Sequence, residues 1–267
     1  MPKLSEISWK VFPLYSSKYC IFLLTLPFLS IIIPAFNEEH RLPSTLARIR
    51  DYLHAQAYSY EVLVVENGSL DRTYEIAEEI SRSYAGFRVL KETERGKGLA
   101  IRRGMLAAQG EYRFMCDADL SMPIREIERF LPPLLTDFEL AIASREAPGA
   151  IRYHEPAYRH LGGRFINLMI RVLALPGLHD TQCGFKCFHN SVVEDLFHNQ
   201  TMLGWSFDVE LLYIARLRGY RIIELPIPWY YYSESKVNPI KDAVRMGLDL
   251  LTIRRNAWRG LYGREAD

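Results

Sequence analysis

Five short runs rich in β-branched and aliphatic residues mark the first half of the chain: 29–33 (LSIII), 60–65 (YEVLVV), 87–90 (FRVL), 112–116 (YRFMC) and 139–143 (ELAIA). Between them apolar residues recur at helical spacing, as Leu46, Ile49 and Leu53, then Tyr74, Ile76, Ala77 and Ile80, then Leu99, Ile101, Met105 and Leu106, then Ile127, Phe130, Leu131 and Leu134. This alternation predicts an α/β domain with a central, mostly parallel sheet and helices on both faces. In such sheets ligands sit outside the carboxyl ends of the strands, so the residues that follow each run carry the most functional weight. Beyond Arg145 the rhythm changes to a helix over 156–173, the segment LHDTQCGFKCF, a helix over 205–218, a strand over 221–225 and a C-terminal helix.

The ends read differently from the middle. Lys3, Lys10 and Lys18 precede an apolar stretch from Tyr19 to Phe36 that Pro27 and Pro34 interrupt, and its second half is already strand-like. Residues 1–27 are therefore expected to form an N-terminal extension that touches a membrane, residues 28–237 the main domain, and residues 238–267 an amphipathic helix. In that last segment Asn238 and Pro239 fit an N-cap and first helical residue. Ile240, Val244, Leu248 and Leu251 follow at near-helical spacing, with Trp258 beyond, while Arg254, Arg255 and Arg259 crowd the far end. An apolar stripe with basic ends suits a bilayer surface.

Composition narrows the function. A net charge of +1 over 267 residues gives no whole-molecule basic field, and no basic run interleaved with aromatics occurs, so nucleic-acid binding is not expected. Cys20, Cys116, Cys183 and Cys187 form no zinc-like array. Were residues 181–188 a strand, Cys183 and Cys187 would stand roughly 13 Å apart, too far for a disulfide. Reduced thiols on a cytoplasmic face are the expectation.

The strongest local chemistry is Asp117-Ala118-Asp119, directly after a strand. Carboxylates at i and i+2 point to the same side and can face one hard cation, Mg²⁺ or Mn²⁺, leaving positions for diphosphate oxygens. The first two strands run into Pro34-Ala35-Phe36-Asn37-Glu38-Glu39 and Glu66-Asn67-Gly68-Ser69-Leu70-Asp71-Arg72-Thr73, where a nucleotide would lie across the sheet edge. Ser69 or Asp71 equally fits a helix cap. Arg95-Gly96-Lys97-Gly98 puts cations on a flexible loop that opens a helix and suits a diphosphate, although it lacks the features of a Walker A loop. Asp208 and Glu210 are the candidate general bases, and His179 beside Asp180 reads as a satisfied loop histidine.

In order, PAFNEE, ENGSxDRT, RGKGLAIRRG, DADLS, ASRE, DTQCGFKCF and WSFDVELL resemble the family 2 glycosyltransferases, and within them the dolichyl-phosphate glucose and mannose synthases. The match runs from about Leu29 to Arg255. The resemblance implies a GT-A fold, with Pro34, Phe36, Glu38, Glu66 and Asn67 around the base and ribose, and Asp117, Ala118 and Asp119 as the metal and diphosphate motif. It also implies a phosphate-facing Arg145, and phosphate-binding groups for the acceptor at Ser235 and Lys236. One departure stands out: where the family usually has two aspartates, this chain has Glu66-Asn67, and an amide donates where a carboxylate only accepts.

The resulting expectation is inverting transfer of a hexose, glucose first, from UDP-glucose or GDP-mannose to a polyprenyl or dolichyl phosphate, by an enzyme peripheral or monotopic at the cytoplasmic face of a membrane. A phosphate with a second pKa of about 6 is already anionic near neutral pH, so Asp208 would position rather than deprotonate. One rival is a member of the same family acting on a soluble or polysaccharide hydroxyl. Another is a sugar nucleotidyltransferase, which would want a glycine-rich segment after the first strand; PAFNEE has no glycine.

Overall fold

The computed structural model describes residues 26–231 and 239–263. Ser235 and Lys236, nearly all of the N-terminal extension, and Asn238 lie outside the described residues. The first half alternates as the apolar pattern predicts: β1 (Leu29–Ala35), α1 (Leu42–His54), β2 (Tyr60–Asn67), α2 (Thr73–Ser83), β3 (Phe87–Glu92), α3 (Lys97–Ala107) and β4 (Tyr112–Cys116). One element differs. Residues from Ile127 onward, read as an α-helix, form the short 3-10 helix Ile124–Phe130, and the Pro132-Pro133 pair beyond it has no amide hydrogens with which to prolong a helix. Then follow β5 (Leu140–Ser144), β6 (Ile151–Tyr153), α4 (Ala157–Leu173), β7 (Phe185–His189), α5 (Asn190–His198), α6 (Phe207–Leu217), β8 (Ile222–Pro226), β9 (Pro228–Tyr230) and α7 (Pro239–Trp258).

Seven strands form one sheet in the order β3-β2-β1-β4-β7-β5-β8. All pairings are parallel except those of β7, which runs antiparallel between β4 and β5. β6 and β9 pair separately, with Tyr153 stacked on Tyr230 at 4.5 Å between ring centroids. Side chains alternate across a strand, so successive residues feed opposite cores. Ile31, Ile33, Val62, Val64, Phe114 and Phe185 meet α1 on one face; Ile32, Leu63, Val65 and Met115 meet α3, α5 and α6 on the other.

The C-terminal helix has two apolar faces. Met246, Leu250 and Ile253 are buried in the second core, whereas Val244, Leu248 and Leu251 face outward, each more than half exposed. α7 lies beside α4, which exposes Leu161, Phe165, Leu168 and Val172 to the same extent. Between the two helices runs a groove of about 1030 Å³, lined by Leu161, Phe165, Leu168 and Val244 with Arg164 and Arg171, and reaching Glu146 and His179.

Glu210, one of the two candidate bases, belongs to this framework. Fully buried on α6, it accepts the amides of Thr201 and Met202 at 2.9 and 2.7 Å and the Tyr262 hydroxyl at 2.6 Å, tying α6 to the 200–202 loop and to the end of the chain. The carboxylate itself is sealed from water, as is the Tyr262 side chain. Glu210→Ala should therefore lower the unfolding free energy by about 3 kcal/mol. Urea denaturation followed by circular dichroism measures it, and an unmoved midpoint would contradict the structural role.

Candidate active site

The carboxyl ends of β1, β2 and β4 and the start of α3 converge on one edge. Two loops there are sewn together: the Asn37 amide donates to Ser69 Oγ at 3.1 Å, the Leu70 amide to Asn37 Oδ1 at 2.9 Å, and the Glu38 amide to Thr73 Oγ1 at 2.7 Å. Asn37 sits at φ 55°, a left-handed turn that asparagine tolerates. Asp71 does both things its position allowed, accepting the Thr73 amide at the start of α2 and the Glu39 amide across the gap. Phe36 lies exposed just past β1 with the Arg95 guanidinium 5.1 Å from its ring centre, and Glu38 pairs with Arg41 at 2.8 Å. Pro34, next to last in β1, is partly buried. Glu66 and Asn67 are both buried, and Glu66 accepts the Ser69 amide.

Asp117 and Asp119 leave β4 on a fixed turn. The Ala118 carbonyl accepts Thr45 Oγ1 at 2.6 Å, Asp119 Oδ1 accepts the Ser121 amide at 2.9 Å, and Leu120 takes a positive φ of 45°. Asp117 donates its amide to the Gly184 carbonyl at 3.2 Å, and a side chain at Gly184 would overlap the Asp117 carboxylate. The same carboxylate meets Lys97 Nζ at 2.6 Å. Burial, then the charge of Asp117, raises the Asp119 pKa; burial also raises that of Glu38, reinforced by Asp119 and Asp117 against the pull of Arg41. Three carboxylates thus share one edge with two cations, Arg41 on Glu38 and Lys97 on Asp117, which leaves Asp119 as the negative charge without an ion-pair partner of its own among the described residues. Among the described residues no three acidic, histidine or cysteine groups form a closed metal site. Two carboxylates with open positions are the donor set for a hard cation whose remaining ligands come from phosphate oxygens, so Asp119 and Asp117 fit Mg²⁺ or Mn²⁺.

Lys97 begins α3 with its side chain 14% exposed. The glycines around it serve close approach: a Cβ on Gly98 would come within 2.7 Å of Phe207 Cβ and 2.8 Å of the Met202 carbonyl. The 202–207 segment therefore presses against the loop and sets the Trp205 ring 5.0 Å from the Lys97 ammonium. Asp208 lies behind this, 4% exposed, and bonds Lys186 Nζ at 2.8 Å, while Lys186 also donates to the Cys183 carbonyl at 2.6 Å. Burial raises the Asp208 pKa against the opposing charges of Lys186 and Lys97.

Arg145, beyond β5, grips the fully buried Asp180 through Nε at 2.6 Å and Nη2 at 2.9 Å. Burial works to raise the Asp180 carboxyl, but the Arg145 charge and hydrogen bonds overcome it and hold it at about 2. Arg145 Nη1 has no partner among the described residues. Trp229 on β9 lies 5.6 Å from this guanidinium and 5.7 Å from that of Arg152. His179 is satisfied, its Nδ1 2.8 Å from Glu224, which also takes the His179 and Asp180 amides. Cys116, Cys183 and Cys187 are free and buried.

The structure thus gathers Phe36, Glu38, Asn67, Lys97, Asp117 and Asp119 at one edge, links them through residues 180–184 to Arg145, and sets Asp208 beneath them. Sequence reading took Gln182 to Lys186 and Trp205 to Glu210 as the acceptor side, and missed Trp229, the pairing of Lys186 with Asp208 and the contact between Trp205 and Lys97. For Lys186 a signal existed: a lone lysine inside an apolar strand needs a buried partner.

Residues 30–197 match the family described as Glycosyl transferase family 2. The dolichyl-phosphate beta-glucosyltransferase of Homo sapiens is 34% identical over 86% of this chain and 77% of its own length, and that of Saccharomyces cerevisiae 30% identical over 88% and 76%. A similar structure is glucosyl-3-phosphoglycerate synthase of Mycobacterium tuberculosis, in a complex with Mn²⁺, uridine-diphosphate-glucose and phosphoglyceric acid; at 16% identity and a TM-score of 0.62, over 85% of this chain and 79% of that one, it shares the GT-A fold. By its matched residues and by relatives aligned over most of its length, this chain is a glycosyltransferase and belongs to glycosyl transferase family 2.

Proposed function

We propose that this enzyme transfers glucose from UDP-glucose to a polyprenyl phosphate of the dolichyl type, with inversion, at the cytoplasmic face of a membrane. The observation that carries the reading is the meeting of two unlike surfaces around residues 179–184. Gly184 abuts the acidic edge at Asp117, Asp180 holds Arg145, and His179 lines the apolar groove of α4 and α7. A donor diphosphate suits the first surface and a lipid the second. The names of the relatives, dolichyl-phosphate beta-glucosyltransferases, support the same pair of substrates. Among the described residues no helix is long and apolar enough to cross a membrane, so the outward faces of α4 and α7 are the proposed contact with the bilayer.

In the proposed reaction a phosphate oxygen of the acceptor attacks the anomeric carbon opposite the leaving group. The bond from that carbon to the β-phosphate oxygen breaks, its electron pair leaves with UDP, and configuration inverts. No proton has to move, because the acceptor is already an anion at neutral pH. This agrees with the engagement of both candidate bases, Asp208 with Lys186 and Glu210 with its four donors, which leaves a hydroxyl acceptor without help from α6. Lys97 faces the diphosphate, and the open Nη1 edge of Arg145 faces the acceptor phosphate, with Ser235 and Lys236 proposed to complete its shell. Asp119, assisted by Asp117, would hold Mg²⁺ or Mn²⁺, which when bound neutralises charge on the departing diphosphate.

Asp119→Ala should reduce glucosyl transfer at least about a hundredfold with an unchanged melting temperature, since its carboxylate supports little of the core. Full activity in excess chelator would remove the cation from the scheme. Asp208→Asn strands the buried Lys186 ammonium and should cost about 3 kcal/mol of stability, with kcat falling less than about tenfold. A fall of the ~10²- to 10⁴-fold size of a general base, in a folded variant, would instead favour a hydroxyl acceptor. Phe165→Glu with Leu248→Glu should weaken flotation with anionic vesicles at least about tenfold while UDP affinity stays unchanged, because both side chains point away from the core. Truncating α7 would be a poorer test, since Met246, Leu250 and Ile253 leave the core with it. Undiminished flotation would place the bilayer contact elsewhere.

A further inference from the structure

α3 begins without a side-chain cap, so the orphan amides of its first turn need partners from elsewhere. One comes from a distant loop: the Leu99 amide donates to the Leu203 carbonyl at 3.2 Å. Gln200, at the start of that loop, is 3% exposed and donates both hydrogens of Nε2 to main-chain carbonyls, to Gly98 on α3 at 3.0 Å and to Met202 within the loop at 2.7 Å. Its Oε1 is buried with no partner among the described residues. The amide cannot be turned end for end, because its oxygen would then face two carbonyls. A buried, unpaired acceptor costs stability, so what this side chain contributes is its two donated bonds.

The loop is held from both sides. Toward α3 it lies against bare backbone, and a Cβ on Gly96 would overlap the Leu203 carbonyl oxygen. Behind it, Ser206 Oγ donates to Asp249 on α7, and Asn256 Nδ2 donates to Thr201 Oγ1 at 3.2 Å. Between these anchors the loop carries Trp205, 5.0 Å from the Lys97 ammonium. Lys97 is the first residue of α3, so the meeting of its ammonium with Asp117 depends on where that helix starts.

We propose that Gln200 is a positioning residue for Lys97: by clamping the 200–205 loop onto the first turn of α3, it fixes where the helix starts and so where the Lys97 ammonium meets the donor diphosphate. This rests on the nucleotide-sugar reading and deepens it. Being sealed from solvent, Gln200 acts through Gly98 and the loop rather than on a substrate. A lysine carries its charge on a flexible four-carbon stem. Asp117 on one side and Trp205 on the other narrow its freedom here, and both contacts hold only while the helix start and the loop keep their register.

Isothermal titration of UDP in Mn²⁺ on the full chain, in a double-mutant cycle over Gln200→Met and Lys97→Met, reads the connection. Methionine keeps the length of the side chain and removes both donors; Lys97→Met leaves Asp117, 28% exposed, to water. Gln200→Met should weaken UDP roughly fivefold in the unaltered background and less than about twofold in Lys97→Met, because the lysine through which it acts is then gone. Gln200→Asn, whose amide stops one methylene short of the Gly98 carbonyl, should repeat the pattern and serves where the methionine variant does not fold. Equal losses in both backgrounds, which a merely structural role would give, would overturn the assignment and leave the donor reading intact, as would an unchanged UDP affinity in Gln200→Met. Absence of UDP binding by the unaltered chain would instead overturn the donor reading, and this inference with it.

Discussion

The site depends on one arrangement of charge: Asp117 held between the Lys97 ammonium and the bare backbone of Gly184. Burying an ion costs several kcal/mol unless an opposite charge and hydrogen bonds replace its water. The molecule meets that cost by alternation, with Asp119 and Asp117 at the open edge, Lys97 next, Asp208 behind it and Lys186 deepest. Every cation has an acidic neighbour. At the open end the order stops on Asp119, since Glu38 is already paired with Arg41, and the negative charge that remains there is what a divalent ion could share.

The same alternation explains which carboxylates can act. Asp119 is partly buried and its hydrogen bonds run to Ser121 on its own turn, so it can exchange a ligand with little disturbance to the fold. Asp208 and Glu210 sit two residues apart on the same helix, and each is committed, one to a lysine and the other to loop amides and a tyrosine. Acidic residues in the first turn of α6 also favour the positive end of the helix dipole, a structural reason for their presence that does not involve substrate.

Much of this was legible in the sequence, because apolar periodicity follows backbone geometry. Runs such as LSIII and YEVLVV became β1 and β2 as read, and the strand-end rule picked out Phe36, Asn67, Asp117 and Asp119 without coordinates. What escaped depends on contacts between distant segments. Nothing local to Lys186 names Asp208, 22 residues on, as its partner, and Arg145 read as a lone phosphate ligand because Asp180 lies 35 residues away. The 3-10 helix at Ile124–Phe130 escaped for a different reason: apolar spacing near i+3 is shared by both helix types, and only the prolines beyond it hinted at the shorter one.

Period also explains how one C-terminal helix presents two apolar faces. Met246, Leu250 and Ile253 repeat at intervals of four and three, as do Val244, Leu248 and Leu251, and the two rows are offset by two residues. On a helix that offset is about 200°, so the rows face nearly opposite ways. A helix that met only the protein would carry polar residues on its outer row; one that lay free on a bilayer would not need the inner row. α7 carries both, with Asn256 buried near its end and Trp258 88% exposed. Anchored by the inner row, the outer row stands at a fixed distance from Arg145 and its neighbours. On the proposed reading, that rigid spacing would let a lipid phosphate reach a site whose other substrate comes from water.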